Sequence, residues 1–138
     1  MNIKSKLFFF IVFCFLSLNS YSQGWIKIGS YKKKGGNYTH YLRDNYESFE
    51  NGVVTIWGKV EHEVFFYKIK NKNYYNAYTI SITEYDIIKK KYRNLYQIVY
   101  DKDDDVIYSV ENTNLSWVWI TPYTIGELEY EYCKNIVK

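Results

Sequence analysis

Beyond its first two dozen residues the chain alternates apolar and polar side chains in short blocks separated by charged or glycine-bearing turns, the pattern of strands half-buried on one face. Trp25-Ile26-Lys27-Ile28 predicts a first strand, and Lys32-Lys33-Lys34-Gly35-Gly36-Asn37 a turn into a second strand, Tyr38 to Arg43. Asp44 to Ser48 reads as irregular and Asn51-Gly52 as a tight turn. Val53-Val54-Thr55-Ile56-Trp57-Gly58-Lys59-Val60 is dense in β-branched residues and predicts a strand. Val64 to Ile69 continues it or forms another strand or edge, while Lys70 to Asn76, rich in Asn, Lys and Tyr, reads as a loop. Tyr78, Ile80 and Ile82 alternate with Thr79, Ser81 and Thr83, which predicts a strand with the hydroxyl side chains on its wet face. Tyr92 to Tyr100 is a further strand, apolar on both faces; Asp101 to Asp105 is a charged turn and Val106 to Val110 returns from it. Glu111 to Ser116 is a polar loop before a last strand, Trp117 to Ile120.

The period changes near the end. Trp117 and Trp119 flank Val118, so they share one face of an extended segment. Thr121-Pro122 stops that segment, since proline donates nothing to a ladder and holds the residue before it extended. Thr124-Ile125-Gly126-Glu127 has capping-box spacing: the Thr124 hydroxyl accepts from the Glu127 amide, and the Glu127 carboxylate reaches back to the Thr124 amide. Ile125, Leu128, Tyr132 and Ile136 then fall on one helical stripe. The expected architecture is mostly β within an α+β class: a single antiparallel sheet of about six strands with a C-terminal helix packed on one face.

Composition changes the picture at the start of the chain. Lys4 and Lys6 precede an apolar run from Leu7 to Leu18, and Ser20-Tyr21-Ser22 supplies small residues at the positions a signal peptidase reads. Residues 1–22 therefore read as a signal peptide and 23–138 as one exported domain. The run is short of the ~20 apolar residues a transmembrane helix needs. Cys14 lies in mid-run behind Phe13, where lipid attachment wants a small residue, so it is read as leaving with the signal. The whole chain carries 18 basic and 15 acidic side chains. Without Lys4 and Lys6 the balance is 16 to 15, too even for a nucleic-acid binder.

Cysteine and histidine usage limits the chemistry. Cys133 would be the one cysteine left after cleavage, which leaves two readings: a buried inert thiol, which we prefer, or a bridge between two chains of a homodimer. Only His40 and His62 offer imidazoles. Glu61-His62-Glu63 lacks the second histidine of a zinc pattern, since Phe66 stands four places on. A nucleophilic pair of Cys133 with His40 is open to the sequence, but the thiol sits on a helix flank rather than at a helix N-terminus. Asp101, Asp103 and Asp105 have the spacing of a calcium loop, yet Val106 and Asn112 stand where that loop needs Gly and Glu, so a solvated turn is the better account. No catalytic residue, metal or cofactor is assigned. Two basic runs, Lys32, Lys33, Lys34 and Lys89, Lys90, Lys91, Arg93, are candidates for binding a polyanion; the alternative is that they guard strand edges from pairing. The 17 tyrosines suit recognition surfaces and, equally, strands.

These residues together resemble the surface-adhesin protein E family of Gram-negative bacteria. The likeness runs through Trp25 with Ile28, Tyr41, the Ser48 region and Val54-Thr55-Ile56-Trp57-Gly58-Lys59, similar to that family's V-x-V-W-x-K strand. It continues through Glu84-Tyr85-Asp86-Ile87, then Lys91-Tyr92-Arg93, and Tyr100-Asp101. At the close, Trp117 or Trp119, Ile120, Pro122, Thr124, Gly126-Glu127 and Cys133 are similar to W-x-x-I-x-P-G-S-x-G-E followed by a helix bearing a cysteine, with Tyr123 in place of the usual glycine. The resemblance implies an antiparallel sheet with a C-terminal helix on its concave face. It also implies structural roles for Trp57, Trp117, Trp119, Pro122, Thr124, Glu127 and Cys133, to which the helical stripe adds Leu128. The family ties its helix cysteine to a strand cysteine; here Ile87 stands in that place.

The functional expectation is an exported binding module of the cell envelope, in the periplasm or on the outer surface. Its partner would be a protein, with host extracellular-matrix protein as the partner the resemblance implies. The alternative is a periplasmic immunity or inhibitor protein that neutralises a single protein partner. An enzyme ranks third, for want of a convergent acid, base and nucleophile.

Overall fold

The computed structural model describes residues 24–138. The expected signal peptide, its cleavage before Gln23, and Cys14 lie outside the described residues. Fifty-nine per cent of the structure is strand, in one curled antiparallel sheet with the C-terminal helix packed on it. The strands are β1 (Trp25–Lys33), β2 (Gly36–Arg43), β3 (Ser48–Glu50), β4 (Val53–Tyr67), β5 (Lys72–Asp86), β6 (Lys91–Tyr100), β7 (Val106–Glu111) and β8 (Val118–Trp119); the helix α1 is Ile125–Ile136. The main path runs β1-β2-β4-β5-β6-β7, six strands as expected, with β3 paired to β4 and β8 to β6.

Turn chemistry sets the register. Asn51 and Gly52 both take positive φ, at 52° and 78°, as a tight hairpin demands. The Asp86 carboxylate accepts from the Ile88 and Lys89 amides at 3.0 and 2.8 Å, closing the β5–β6 turn. Asp101 does the same for the β6–β7 turn, accepting from the Asp103 and Asp105 amides, both at 2.9 Å. The Asp101–Asp105 segment is a hairpin turn of that kind.

The core lies where α1 covers the sheet. Leu42, Val54, Ile56 and Tyr85 meet Tyr130 and Cys133 of the helix in one buried cluster, with Ile28, Ile87, Tyr92, Ile120, Tyr132, Ile136 and Val137 packed around it. Two tyrosines fasten the helix to strand ends: Tyr130 donates to the Ile87 carbonyl at 2.8 Å and Tyr132 to the Arg43 carbonyl at 3.0 Å. Gly29 allows the first helical turn to approach, since a Cβ there would lie 2.6 Å from Ile125 Cδ1.

Several expectations are corrected. Of the expected loop at residues 70–76, 72–76 are strand: β5 begins at Lys72, and β4 runs to Tyr67, so the two form a long hairpin closed by a 3-10 turn at Lys68–Lys70. Cross-strand pairing, which local composition does not encode, made the difference. Ser48–Glu50, expected to begin in irregular chain, is a short strand against β4. The last strand shrinks to Val118–Trp119. Leu128 is 52% exposed, so the buried stripe of α1 is not the expected one; Tyr130 and Cys133 carry it. In the cap, Thr124 Oγ1 accepts from the Glu127 amide at 3.4 Å, but the Glu127 carboxylate takes the Tyr123 amide at 2.8 Å rather than that of Thr124. Finally, Thr79, Ser81 and Thr83 share the face of Val60, Gly58 and Ile56, the helix side, and Thr83 is 5% exposed. The alternation along β5 is as expected, but its hydroxyl face points inward. Ile80 and Ile82 point outward, beside Trp57, Tyr96 and Ile98, in a half-buried apolar layer on the other face.

Candidate functional site

The inward hydroxyls have a consequence for shape. Where β4 carries Gly58 and β5 carries Ser81, the sheet offers little side-chain bulk, and a cavity of about 370 Å³ opens between the sheet and the chain above it. Its floor includes Val60, Thr83, Asn94 and Gln97, one wall is Val118 to Thr121, and the other is the first turns of α1 through Glu129. Gly58 keeps this floor low: a Cβ there would lie 3.1 Å from Ser81 Oγ and crowd that hydroxyl.

The segment from Asn112 to Thr124 forms a strap pinned to β6. The Asn112 amide donates to the Leu95 carbonyl at 3.0 Å, and the Ile120 amide to the Lys90 carbonyl at 3.0 Å. Lys91 Nζ lies 4.1 Å from the Trp119 ring centre, and the Arg93 guanidinium 4.3 Å from that of Trp117. Two such cation–π contacts on successive same-face positions hold the strap along the edge of β6, where Trp119 and Val118 pair with Lys91 and Tyr92. Arg93 also pairs with Glu84 and donates to the Leu115 carbonyl at 3.3 Å. Trp117 and Trp119 thus share a face, as expected. Trp119 remains 65% exposed, and Pro122 is exposed beside it.

Polar side chains at the inner end of the cleft are connected. Glu129 reaches in from α1, its two oxygens engaged by His40 Nδ1 at 2.7 Å and by the Tyr85 hydroxyl, which donates at 2.9 Å. The His40 and Glu129 side chains are only 14% and 16% exposed. Burial, with the Glu129 charge added, pushes the Tyr85 phenol well above its usual range, so it acts as a donor and not as an acid. Burial, again with Glu129, raises the Cys133 thiol far above its usual value. Cys133 is 0% exposed and unbridged, and its protonated sulfur makes a poor nucleophile. On the floor, Thr83 donates to Asn94 Oδ1 at 2.7 Å. The cleft therefore presents hydroxyl and amide groups beside the paired His40 and Glu129, with Lys59, itself paired with Glu61, at its border, a lining suited to hydrogen-bonding a polar group.

His62 sits farther along β4. Its Nε2 meets Thr79 Oγ1 at 2.7 Å, and burial, with some repulsion from His40, pulls its pKa down to about 4. The neighbouring Glu63 accepts from the Asn37 amide at 2.7 Å. Among the described residues no three His, Cys, Asp or Glu side chains converge as a metal site requires.

The expected basic candidates are not brought together. Lys32, Lys33 and Lys34 border the β1–β2 turn, level with the far end of β4, whereas Lys89, Lys90, Lys91 and Arg93 follow the β5–β6 turn at the opposite end. Lys91 and Arg93 are engaged by the strap. Of the cleft residues, the sequence singled out His40 only as a possible base for Cys133, whereas the structure pairs it with Glu129; Ser81, Thr83, Tyr85, Asn94, Gln97 and Glu129 were not read as a site. The signal for them was the run of hydroxyls at every second position of β5, read there as a wet outer face. Among the described residues no helix is long and apolar enough to cross a membrane. No protein-family model matches the chain, and no curated protein or solved structure matches it.

Proposed function

We propose that the chain is an exported binding module of the cell envelope that holds a macromolecular ligand, a protein by preference, through the cleft beneath the strap. The observation that carries the reading is the cleft itself: hydrogen-bonding groups on a sheet floor, walled by a helix turn and a strap tied down by two stacked cations. Such a frame keeps its shape before the ligand arrives, which lowers the entropic cost of binding. A volume of about 370 Å³ is at the small end for a whole ligand and fits one or two residues of a larger one. The likeness of the strap and helix motif to the surface-adhesin protein E family supports the same reading, with host matrix protein as the implied partner.

The test is capture of partners from native envelope extract with tagged full chain. Asn94→Ala with Gln97→Ala should lose the captured partner, while Lys32→Gln with Lys33→Gln retains it. Equal capture by the cleft variant and the wild type would remove the cleft from the proposal. Labelling of intact cells then separates an adhesin, which is reached, from a periplasmic immunity or inhibitor protein, which is not.

A further inference from the structure

β4 and β5 outrun their neighbours. Pairing of β4 with β2 ends at His62, and pairing of β5 with β6 ends at Tyr78, yet the two strands stay paired through Val64↔Tyr75, Phe65↔Tyr74, Phe66↔Asn73 and Tyr67↔Lys72. Beyond those limits they form a two-stranded ribbon, which curls until the Tyr67 ring lies 6.1 Å from that of Tyr108 on β7. An isolated two-stranded ribbon has little stability to spare for exposed apolar groups. Even so, Phe66 is 51% exposed, Tyr75 63% and Ile69, at the turn, 81%. Lys68, Lys70 and Lys72 surround Ile69, and between Val64 and Tyr75 there is no acidic residue. The four aspartates of the β6–β7 turn lie at this end of the sheet, but on the neighbouring hairpin.

We infer that this ribbon tip docks on an anionic lipid surface, with Phe66, Ile69 and Tyr75 entering the interfacial layer and the three lysines meeting headgroup charge. Two features favour a bilayer over an acidic protein. Consecutive aromatics, Phe65-Phe66 and Tyr74-Tyr75, place rings on both faces of the ribbon, Phe66 and Tyr75 exposed on one and Phe65 and Tyr74 half-buried on the other, with Ile69 exposed at the tip between them. A flat protein partner would cover one face; a lipid interface surrounds a tip on all sides. The mixture of aromatic rings with lysines whose stems snorkel is also that of membrane-interface segments. The inference is independent of the cleft.

Flotation of the full chain with phosphatidylcholine vesicles, with and without equimolar phosphatidylglycerol, tests it. The wild type should float with the anionic vesicles only. Lys68→Gln/Lys70→Gln/Lys72→Gln should weaken that binding about a hundredfold, from the contribution of each lysine near an anionic surface. Phe66→Ser/Ile69→Ser should weaken it about tenfold through lost apolar insertion. Lys89→Gln/Lys90→Gln, removing charge at the far end, should bind as the wild type does. The substituted residues are exposed or half-exposed, so each variant should still melt cooperatively well above the assay temperature, and that melt shows that a loss of binding does not reflect unfolding. Failure of the wild type to float, equal loss in the far-end variant, or retention of binding by the Phe66/Ile69 variant would each overturn the inference. Binding to soluble polyglutamate without flotation would overturn it in favour of an acidic protein surface.

Discussion

The two ends of the β4–β5 hairpin are built from the same strands and have opposite fates. Near the β3 turn, Val54 and Ile56 are 0% exposed and Tyr85 3%; near the 3-10 turn, Phe66 and Tyr75 are more than half exposed. Strand propensity does not separate them, since both ends are rich in aromatic and β-branched residues. What differs is cover. At one end α1 lies on the inner face, bringing Tyr130 and Cys133 against the strands; at the other the pair runs beyond β2 and β6. Burial in this protein is a property of the layer above a strand, and the same kind of sequence becomes core or exposed tip according to what reaches it.

The largest expected effect tests that contrast directly. Ile56→Ala removes a fully buried side chain and should cost about 2–5 kcal/mol in denaturant melts, whereas Phe66→Ala should stay within about 1 kcal/mol of wild type. Similar losses at both sites would mean the ribbon end is packed as well as the helix end.

The next test concerns how the helix is held. Ile87 packs against the cluster that contains Cys133. Ile87→Cys should allow a bridge closing a loop of about 47 residues, for which chain entropy gives up to ~4 kcal/mol, reduced by strain. Oxidised and reduced melts with thiol titration measure it. Two free thiols after oxidation would show that the positions do not meet.

His62 stands at the frontier between the two ends. Its folded pKa, about 4, is below the usual 6.5, so between these values the unfolded chain binds more protons than the folded one. Stability should therefore fall as pH drops from about 6.5 toward 4. Because the ring is partly exposed, solvent screening reduces the effect to about 1–2 kcal/mol. Melting temperatures of wild type and His62→Gln across that range decide it: the variant should lose less stability, and parallel curves would assign the acid sensitivity to other groups.

The smallest effects belong to the joint between strap and helix, and they have opposite signs. Thr124→Ala removes the acceptor for the Glu127 amide and a 2.6 Å bond donated to the Thr121 carbonyl, with a loss of about 1 kcal/mol. Tyr123 is fully exposed at φ 60°. Tyr123→Gly should stabilise by about 0.5–1 kcal/mol, because glycine tolerates that conformation and the relief exceeds the added chain entropy. A destabilised Tyr123→Gly would show that the ring makes a contact that offsets the strain.

Much of the fold was legible in the sequence because its signals are local. Asn51-Gly52 specifies a tight turn, the alternation from Tyr78 to Thr83 specifies a strand, and Thr124 with Glu127 specifies a helix start; each works through its own backbone and nearest neighbours. Which face of an alternating strand turns inward is not local. Ser81 and Thr83 face the cleft walled by α1 and the strap, Thr79 on the same face meets His62, and the half-buried layer of Trp57, Ile80, Ile82, Tyr96 and Ile98 occupies the other side of the sheet. The length of the β4–β5 hairpin likewise depended on pairing between residues 64–67 and 72–75, which kept Asn- and Lys-rich chain in a ladder. The site followed the same division. Glu129 meets His40 across 89 positions of sequence and Tyr85 across 44, and only the docking of a helix onto the curled sheet could bring such residues to one place.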